Sequence, residues 1–345
     1  MIATGTSGPT GAAASPAVEM AVVTRGLTKR YGDRVAVQGL DLNVPRGQVY
    51  GFLGPNGSGK TTTLRMLVGL IRPNAGHIEV LGQPYSWRDR RRMFRIGALI
   101  ETPAFYPYLS GRDNLRVFAA TGAPTAASRV GEVLEAVGLT DRAADKVRTY
   151  SLGMRQRLGI AVALVSDPDL LLLDEPANGL DPAGIVAMRE LLRYLTDRGK
   201  SVLVSSHILP EVQQLADIVG IIDRGRLVRE GPLAELLAGG AQVRMLVRPD
   251  EVPRALDVLT GLGVPVEPAP ADGPQAGWIT VRAPSDLASR CNQMLAEKGI
   301  YASAIDATSD LESVFLSLTA GASMDVDGAT QPGPPAGWGE SEPRR

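Results

Sequence analysis

Cysteine is nearly absent from this sequence: its 345 residues hold one, Cys291. A single thiol excludes an internal disulfide and a thiolate metal cluster. Histidine is almost as scarce. Only His77 and His207 occur, so a His-rich zinc site is excluded too. Neither sign of charge dominates, with Lys+Arg 36, Asp+Glu 37 and a formal net charge of -1. That balance offers no global basic field for nucleic acid, and no nucleic-acid partner is expected. No run reaches the ~18 apolar residues of a spanning helix. The nearest, Leu158 to Leu173, is broken by Ser166-Asp167-Pro168-Asp169. The first residues lack a positive stretch leading into an apolar one, so they do not read as a signal peptide. A cytoplasmic chain is expected.

What is present suits a globular protein: hydrophobic residues are 44% and charged residues 21%. The length suggests roughly two domains. Gly 39 and Pro 25 are high counts, and the two ends take a good share of them. Residues 1–19 and 321–345 are small, polar and Pro/Gly-rich, and are expected to be disordered. Met20 is a candidate start, just before the first strand pattern.

Between the ends, strands alternate with helices. Gln48 to Leu53 is a short apolar run before a Gly-rich loop, and Thr62 to Leu70 then reads as a helix. The leucines 170–173 and the run Ser201 to Ser205 read as strands buried on both faces, the latter followed by a helix from Leu209 to Ala216. Val219 to Asp223 and Arg226 to Arg229 form an expected hairpin turned at Arg224-Gly225. The fold class is α/β, with helices on both faces of the sheet. Residues 20–238 make this first domain. Residues 239–320 change to a β–α–β–β–α–β pattern, expected as a small ferredoxin-like α+β domain that a helix from Asp310 to Thr319 closes.

Gly54-Pro55-Asn56-Gly57-Ser58-Gly59-Lys60-Thr61 fits G-x-x-x-x-G-K-[ST], after a strand and before a helix. Its glycines let backbone N–H groups turn inward onto phosphate oxygens. A helix beginning at Thr62 adds its positive end. Lys60 neutralises the β- and γ-phosphates, and the Thr61 hydroxyl is a Mg2+ ligand. Asp174-Glu175 follows the leucine strand. Asp174 is expected to hold Mg2+ and Glu175 to orient an attacking water. His207 ends another strand at the same sheet edge, where its ring could sense the γ-phosphate. His77, in a turn, is expected to have no role.

In order along the chain, these motifs resemble the nucleotide-binding subunit of ATP-binding cassette (ABC) transporters. The resemblance covers about residues 20–235. Gly54 to Thr61 is similar to the Walker A loop, Leu170 to Glu175 to Walker B, Gly179-Leu180-Asp181 to the D-loop, and His207 to the switch histidine. Ser151-Leu152-Gly153-Met154-Arg155-Gln156 resembles the signature motif, with Leu152 and Met154 as departures. Ser151 and Gly153, at the start of a helix from about Met154, are then implied to meet the γ-phosphate held by a second subunit, and Ser151 caps that helix as well. Tyr31 stands where the family stacks an aromatic on adenine. Glu101 replaces the usual Gln after the strand Arg95 to Ile100. It is implied to bind Mg2+ or its water, and it brings a full charge near phosphates. That Glu, the run Ile100 to Pro107 and Tyr150-Ser151-Leu152-Gly153-Met154 are similar to exporters of bacitracin-like peptides and lantibiotics, and Asp310-Leu311-Glu312-Ser313-Val314-Phe315-Leu316 resembles the tail helix of antibiotic-efflux ATPases.

The resemblance implies a RecA-like α/β core with a β subdomain and a helical subdomain. It implies an ATPase, with ATP and Mg2+ as cofactors, that works as a pair of subunits, identical or not. It also implies a separate membrane-spanning permease and a peripheral place on the inner face of the membrane. Thr102 to about Asp113, with Phe105, Tyr106 and Tyr108, is the expected docking segment for that permease; the same aromatics read equally as core of a helical subdomain. The alternatives are a non-transport ABC ATPase or an importer subunit.

Overall fold

The computed structural model describes residues 19–85, 93–101, 104–270, 273, 275–308 and 311–321. The disorder expected for residues 1–19 and 321–345 lies outside the described residues except at Glu19 and at Gly321, which ends the last helix; Thr102, Pro103 and Asp310 lie outside them too.

The chain opens with an antiparallel ribbon, β1 (Met20–Tyr31) and β2 (Arg34–Pro45), turned at Gly32 with φ 56. The chain then enters the core as β3 (Val49–Leu53), runs through the Gly-rich loop and starts α1 (Lys60–Leu67). β4 (Ala75–Val80) and β5 (Gln83–Pro84) return to the ribbon, giving an antiparallel sheet ordered β2-β1-β4-β5.

The central sheet adds β6 (Ile96–Leu99), β7 (Leu170–Asp174), β8 (Ser201–Ser206), β9 (Ile218–Asp223) and β10 (Arg226–Pro232). Its order is β10-β9-β3-β8-β7-β6, with β10 antiparallel and the others parallel. Every residue of β3, β7 and β8 is buried, as expected of parallel strands covered on both faces. The hairpin at Arg224-Gly225 takes φ 46 and 79, the doubly left-handed turn that suits strand twist.

Between β6 and β7 lie α2 (Gly111–Ala120), α3 (Val130–Ala136) and α4 (Leu152–Leu164). They bury Leu115, Val133, Leu134 and Leu158 in one cluster that continues to Leu192 of α5 (Pro182–Asp197). α5 starts cleanly because Asp181 Oδ1 accepts from Gly184 N at 3.0 Å and proline fills its first position. α6 (Leu209–Gln213) is shorter than the expected helix to Ala216. It packs so close to β3 that a Cβ on Gly51 would lie 2.4 Å from Val212 Cγ1.

α7 (Leu233–Gly240) leads into the second domain. This holds β11 (Gln242–Leu246), α8 (Val252–Thr260), β12 (Val266–Pro268), β13 (Trp278–Val281), α9 (Ala288–Glu297) and β14 (Ala304–Thr308). The strands form an antiparallel sheet ordered β12-β13-β11-β14. Ala255 and Leu259 of α8 and Cys291 and Leu295 of α9 are fully buried against it.

The last helix, α10 (Leu311–Gly321), corrects the sequence reading. It does not close the second domain. Leu311, Phe315 and Leu318 join a cluster with Leu53, Val212, Val219, Leu233 and Leu236 of the first domain. Leu311 N also donates to Gln213 Oε1 at 2.8 Å. The apolar residues of α10 are covered by α6, α7 and the ends of the central strands rather than by the small sheet. Among the described residues no helix is long and apolar enough to cross a membrane.

Candidate functional site

The parallel order of β3, β8 and β7 brings their carboxyl ends to one edge, Leu53 beside Ser206 and Asp174 beside Ser205. Everything chemical gathers there. The loop from Gly54 bends through Gly57 (φ 80) and Gly59 (φ 112), conformations that L side chains resist. A Cβ on Gly54 would lie 2.2 Å from the Ile222 carbonyl oxygen.

α1 begins at Lys60, two residues before the expected Thr62. Its N-cap is Gly59, which has no side chain to bond the first amides. Those amides therefore face the loop and suit an anion. Lys60 is 5% exposed, and its Nζ donates to Gly54 O at 2.7 Å and Pro55 O at 3.3 Å. Ser58 Oγ is buried without a hydrogen-bond partner. It lies under Gly54, and Ser58 does not line the cavity over the loop.

Thr61 Oγ1 donates to Asp174 Oδ2 at 2.7 Å, while Ser205 Oγ donates to Asp174 Oδ1. These are hard oxygen donors, the kind Mg2+ takes. Among the described residues no group of three or more His, Cys, Asp or Glu is placed to hold a metal alone. Thr61 and Asp174 thus fit a cation that takes its other ligands from phosphate and water.

Glu175 sits at φ 48, a strained position for a non-glycine residue. Its amide is held by Ser205 O at 3.1 Å and Ser205 Oγ at 3.2 Å. One carboxylate oxygen is 3.5 Å from Lys60 Nζ, and the other is 2.9 Å from His207 Nδ1. An ionised carboxylate only accepts, so Nδ1 carries the proton in this contact. Glu211, one turn into α6, completes the surroundings. Burial, then the charge of Glu175, holds its carboxyl above the ordinary range, while His207 acts the other way.

Tyr31, Arg34, Ala36, Asn56, Thr62 and Glu175 line a cavity of about 390 Å3 over the loop. Tyr31 presents a half-exposed ring with Lys29 Nζ 5.1 Å from its centroid. Arg34 was not picked out by the sequence reading. The tight turn at Gly32-Asp33, which sets it across from Tyr31, was the available signal. Ser205 was missed too, although Ser205-Ser206 stands directly before His207. A larger cavity of about 1050 Å3 lies between α3, α4 and α5 and includes none of these residues.

The remaining expected residues sit elsewhere. Ser151 caps α4, which starts at Leu152 rather than near Met154, and its side chain accepts from Met154 N at 3.2 Å. Gly153 is close to the D-loop: a Cβ on it would lie 3.3 Å from Gly179 O. With Asp181 they lie outside the 390 Å3 cavity. Glu101 is paired with Arg65, not with Thr61 or Asp174. Of the aromatics after it, Phe105 packs into the helical cluster, edge-on to Phe118 at 6.2 Å. Tyr106 and Tyr108 are 55% and 76% exposed. Phe105 therefore belongs to the helical core, while Tyr106 and Tyr108 lie on the surface. His77 is exposed on β4.

A phosphate loop, an acidic pair and a histidine on adjacent strand ends define a P-loop ATPase. Residues 37–178 match the ABC transporter family. The chain is 48% identical over 216 residues to the bacitracin transport ATP-binding protein BcrA of Bacillus licheniformis, covering 62% of this chain and 71% of that one. It is 40% identical over 296 residues to the uncharacterized ABC transporter ATP-binding protein YdbJ of Bacillus subtilis (strain 168), covering 85% and 94%. A solved ATP-binding cassette, dimeric and bound to ADP and Pi after hydrolysis, aligns with TM-score 0.55 at 26% identity over 61% of this chain and 98% of that one. The chain belongs to the ABC transporter ATP-binding proteins, and it is an ATPase cassette.

Proposed function

We propose that this chain is the ATP-hydrolysing subunit of an exporter. In this reading two copies enclose two Mg-ATP head to tail, and their closing and reopening moves an antibiotic, peptide or lipid-like compound through a separate membrane-spanning chain. The subunit works at the inner face of the membrane. The export direction draws on the likeness to a bacitracin transport protein and on Glu101.

One observation carries the catalytic part: Glu175 lies between Lys60 and His207 at the mouth of the phosphate loop. The loop amides, that of Ser58 included, and Lys60 hold the β- and γ-phosphates. Thr61 and Asp174 would hold Mg2+, which would neutralise charge along the phosphates. Tyr31 stacks on the base, with Arg34 beside it. Glu175 takes the proton of the attacking water as its oxygen bonds to the γ-phosphorus, and the bond to the β-phosphate oxygen breaks. His207 keeps the Glu175 carboxylate aimed. Ser151, Gly153 and Asp181 lie away from this nucleotide because they serve the one on the partner subunit. Tyr106 and Tyr108 form the face that meets the membrane chain.

The test is Glu175→Gln in the full chain. Binding of a fluorescent ATP analogue should persist, while steady-state hydrolysis falls by about 100-fold or more. Hydrolysis at the wild-type rate overturns the assignment.

A further inference from the structure

Glu101 puts a negative charge where the resemblance calls for a neutral Gln, just past a strand of the sheet that also carries the phosphate loop. The structure supplies a partner for that charge. Arg65 Nη2 is ion-paired with Glu101 Oε1, joining the last turn of α1 to the residue just past β6. Arg65 is four residues after Thr61, on the same face of the helix and roughly 6 Å along its axis. One face of α1 therefore makes two polar attachments. Thr61 bonds the carboxylate that ends β7, and Arg65 bonds the carboxylate beyond β6.

Two further facts give the second attachment consequence. Among the described residues β6 is an edge strand paired with β7 alone, so the backbone leaving it has sheet on one side. Glu101 also has φ 63, in the left-handed region that residues with a Cβ disfavour. Such a conformation persists where surrounding contacts hold it. The ion pair is such a contact, and it offsets the charge of the Glu101 carboxylate.

We propose that Arg65 is the positioning residue of Glu101. It ties Glu101, just past the end of β6, to the phosphate-binding helix, so that occupancy at Lys60 and Thr61 is transmitted along α1 to Glu101. The transmission part rests on the nucleotide reading above; the tie does not.

The pair is partly exposed, with the side chains 33% and 58% accessible, so its effect on global stability is small. The useful measurement is local. Amide hydrogen exchange of the peptide covering residues 96–109 is followed in the full chain, with and without Mg-ATP. The proteins are wild type, Arg65→Met, Arg65→Lys, Glu101→Gln and the Arg65→Met/Glu101→Gln double variant. Binding of a fluorescent ATP analogue is measured on each.

Without nucleotide, either single neutral variant should exchange about two- to fivefold faster than wild type, the range an exposed pair supports. The double variant should be no faster than the singles, because they remove the same contact. Arg65→Lys should stay within about twofold of wild type. Mg-ATP should slow exchange of the peptide in wild type and lose that effect in Arg65→Met, although Arg65→Met still binds the analogue. Wild-type exchange rates in Arg65→Met, or single effects that multiply in the double variant, overturn the tie. Equal slowing by Mg-ATP in wild type and Arg65→Met overturns the transmission. A wild-type chain that binds no analogue overturns the nucleotide reading and the transmission together, while the tie is still decided by the nucleotide-free rates.

Discussion

Leu311→Ala tests where the C-terminal helix belongs. Leu311 is fully buried among Leu53, Val212, Val219, Leu233 and Leu236. Leu53 and Val219 are fixed on strands and Val212 on the helix that follows His207, so the pocket has little room to collapse. Truncating a buried leucine in such surroundings costs about 2–5 kcal/mol. Detachment of α10 caps the loss, so about 2–3 kcal/mol is the expectation, or roughly 5–10 °C in the melting of a domain this size. The two domains can be followed separately. Release of a fluorescent ATP analogue reports the first. The second carries the chain's one thiol, Cys291, which is fully buried and whose pKa burial pushes up, so a thiol reagent labels it only when that domain opens. Leu311→Ala should lower the analogue-release transition and leave the Cys291 transition in place. Leu295→Ala, buried in the second domain beside Cys291, should do the reverse. If Leu311→Ala shifts only Cys291 labelling, α10 closes the second domain and its assignment here is wrong.

Three other perturbations address the site. Tyr31→Ala should weaken ATP binding about tenfold, as loss of base stacking does, and leave competition by inorganic triphosphate unchanged; equal losses for both ligands would remove the stacking role. Gly54→Ala places a Cβ 2.2 Å from the backbone oxygen of Ile222, which cannot swing aside, so the loop must shift and analogue binding should be lost; normal affinity would contradict this packing. Glu211 has its pKa raised by burial and then by Glu175. A carboxyl raised in the folded state supports the fold while protonated, and that support is lost as pH rises through its folded pKa. Glu211→Gln should therefore melt higher than wild type at pH 8 and match it near pH 4, and a lower melting temperature at pH 8 refutes the sign.

The legible parts of this protein are those whose signal is local. Four leucines in a row, with Asp174-Glu175 behind them, can only suit a strand covered on both faces with its acids at the carboxyl end, and β7 is that strand. The phosphate loop carries its own context, strand before and helix after. The β–α–β–β–α–β order of the second domain follows from alternating periods in the same way. The destination of α10 is not local. An amphipathic helix announces that it has an apolar face and is silent about which surface covers it. The answer lies in partners as distant in sequence as Leu53 and Val212, which no window of sequence contains.

Glu101 shows the same limit for charge. Read along the chain it is a departure from a neutral residue, with an electrostatic cost and no relief in its own segment. Its relief comes from Arg65, 36 positions earlier, and depends on α1 running back past the end of β6. Helical spacing makes this recoverable afterwards: once Thr61 is placed on the face that meets Asp174, Arg65 must share that face. An unexpected charge is thus better questioned by asking which helix face passes it than by scanning its neighbours in sequence. In this chain that question leads from Glu101 to α1, the helix whose other end carries Lys60.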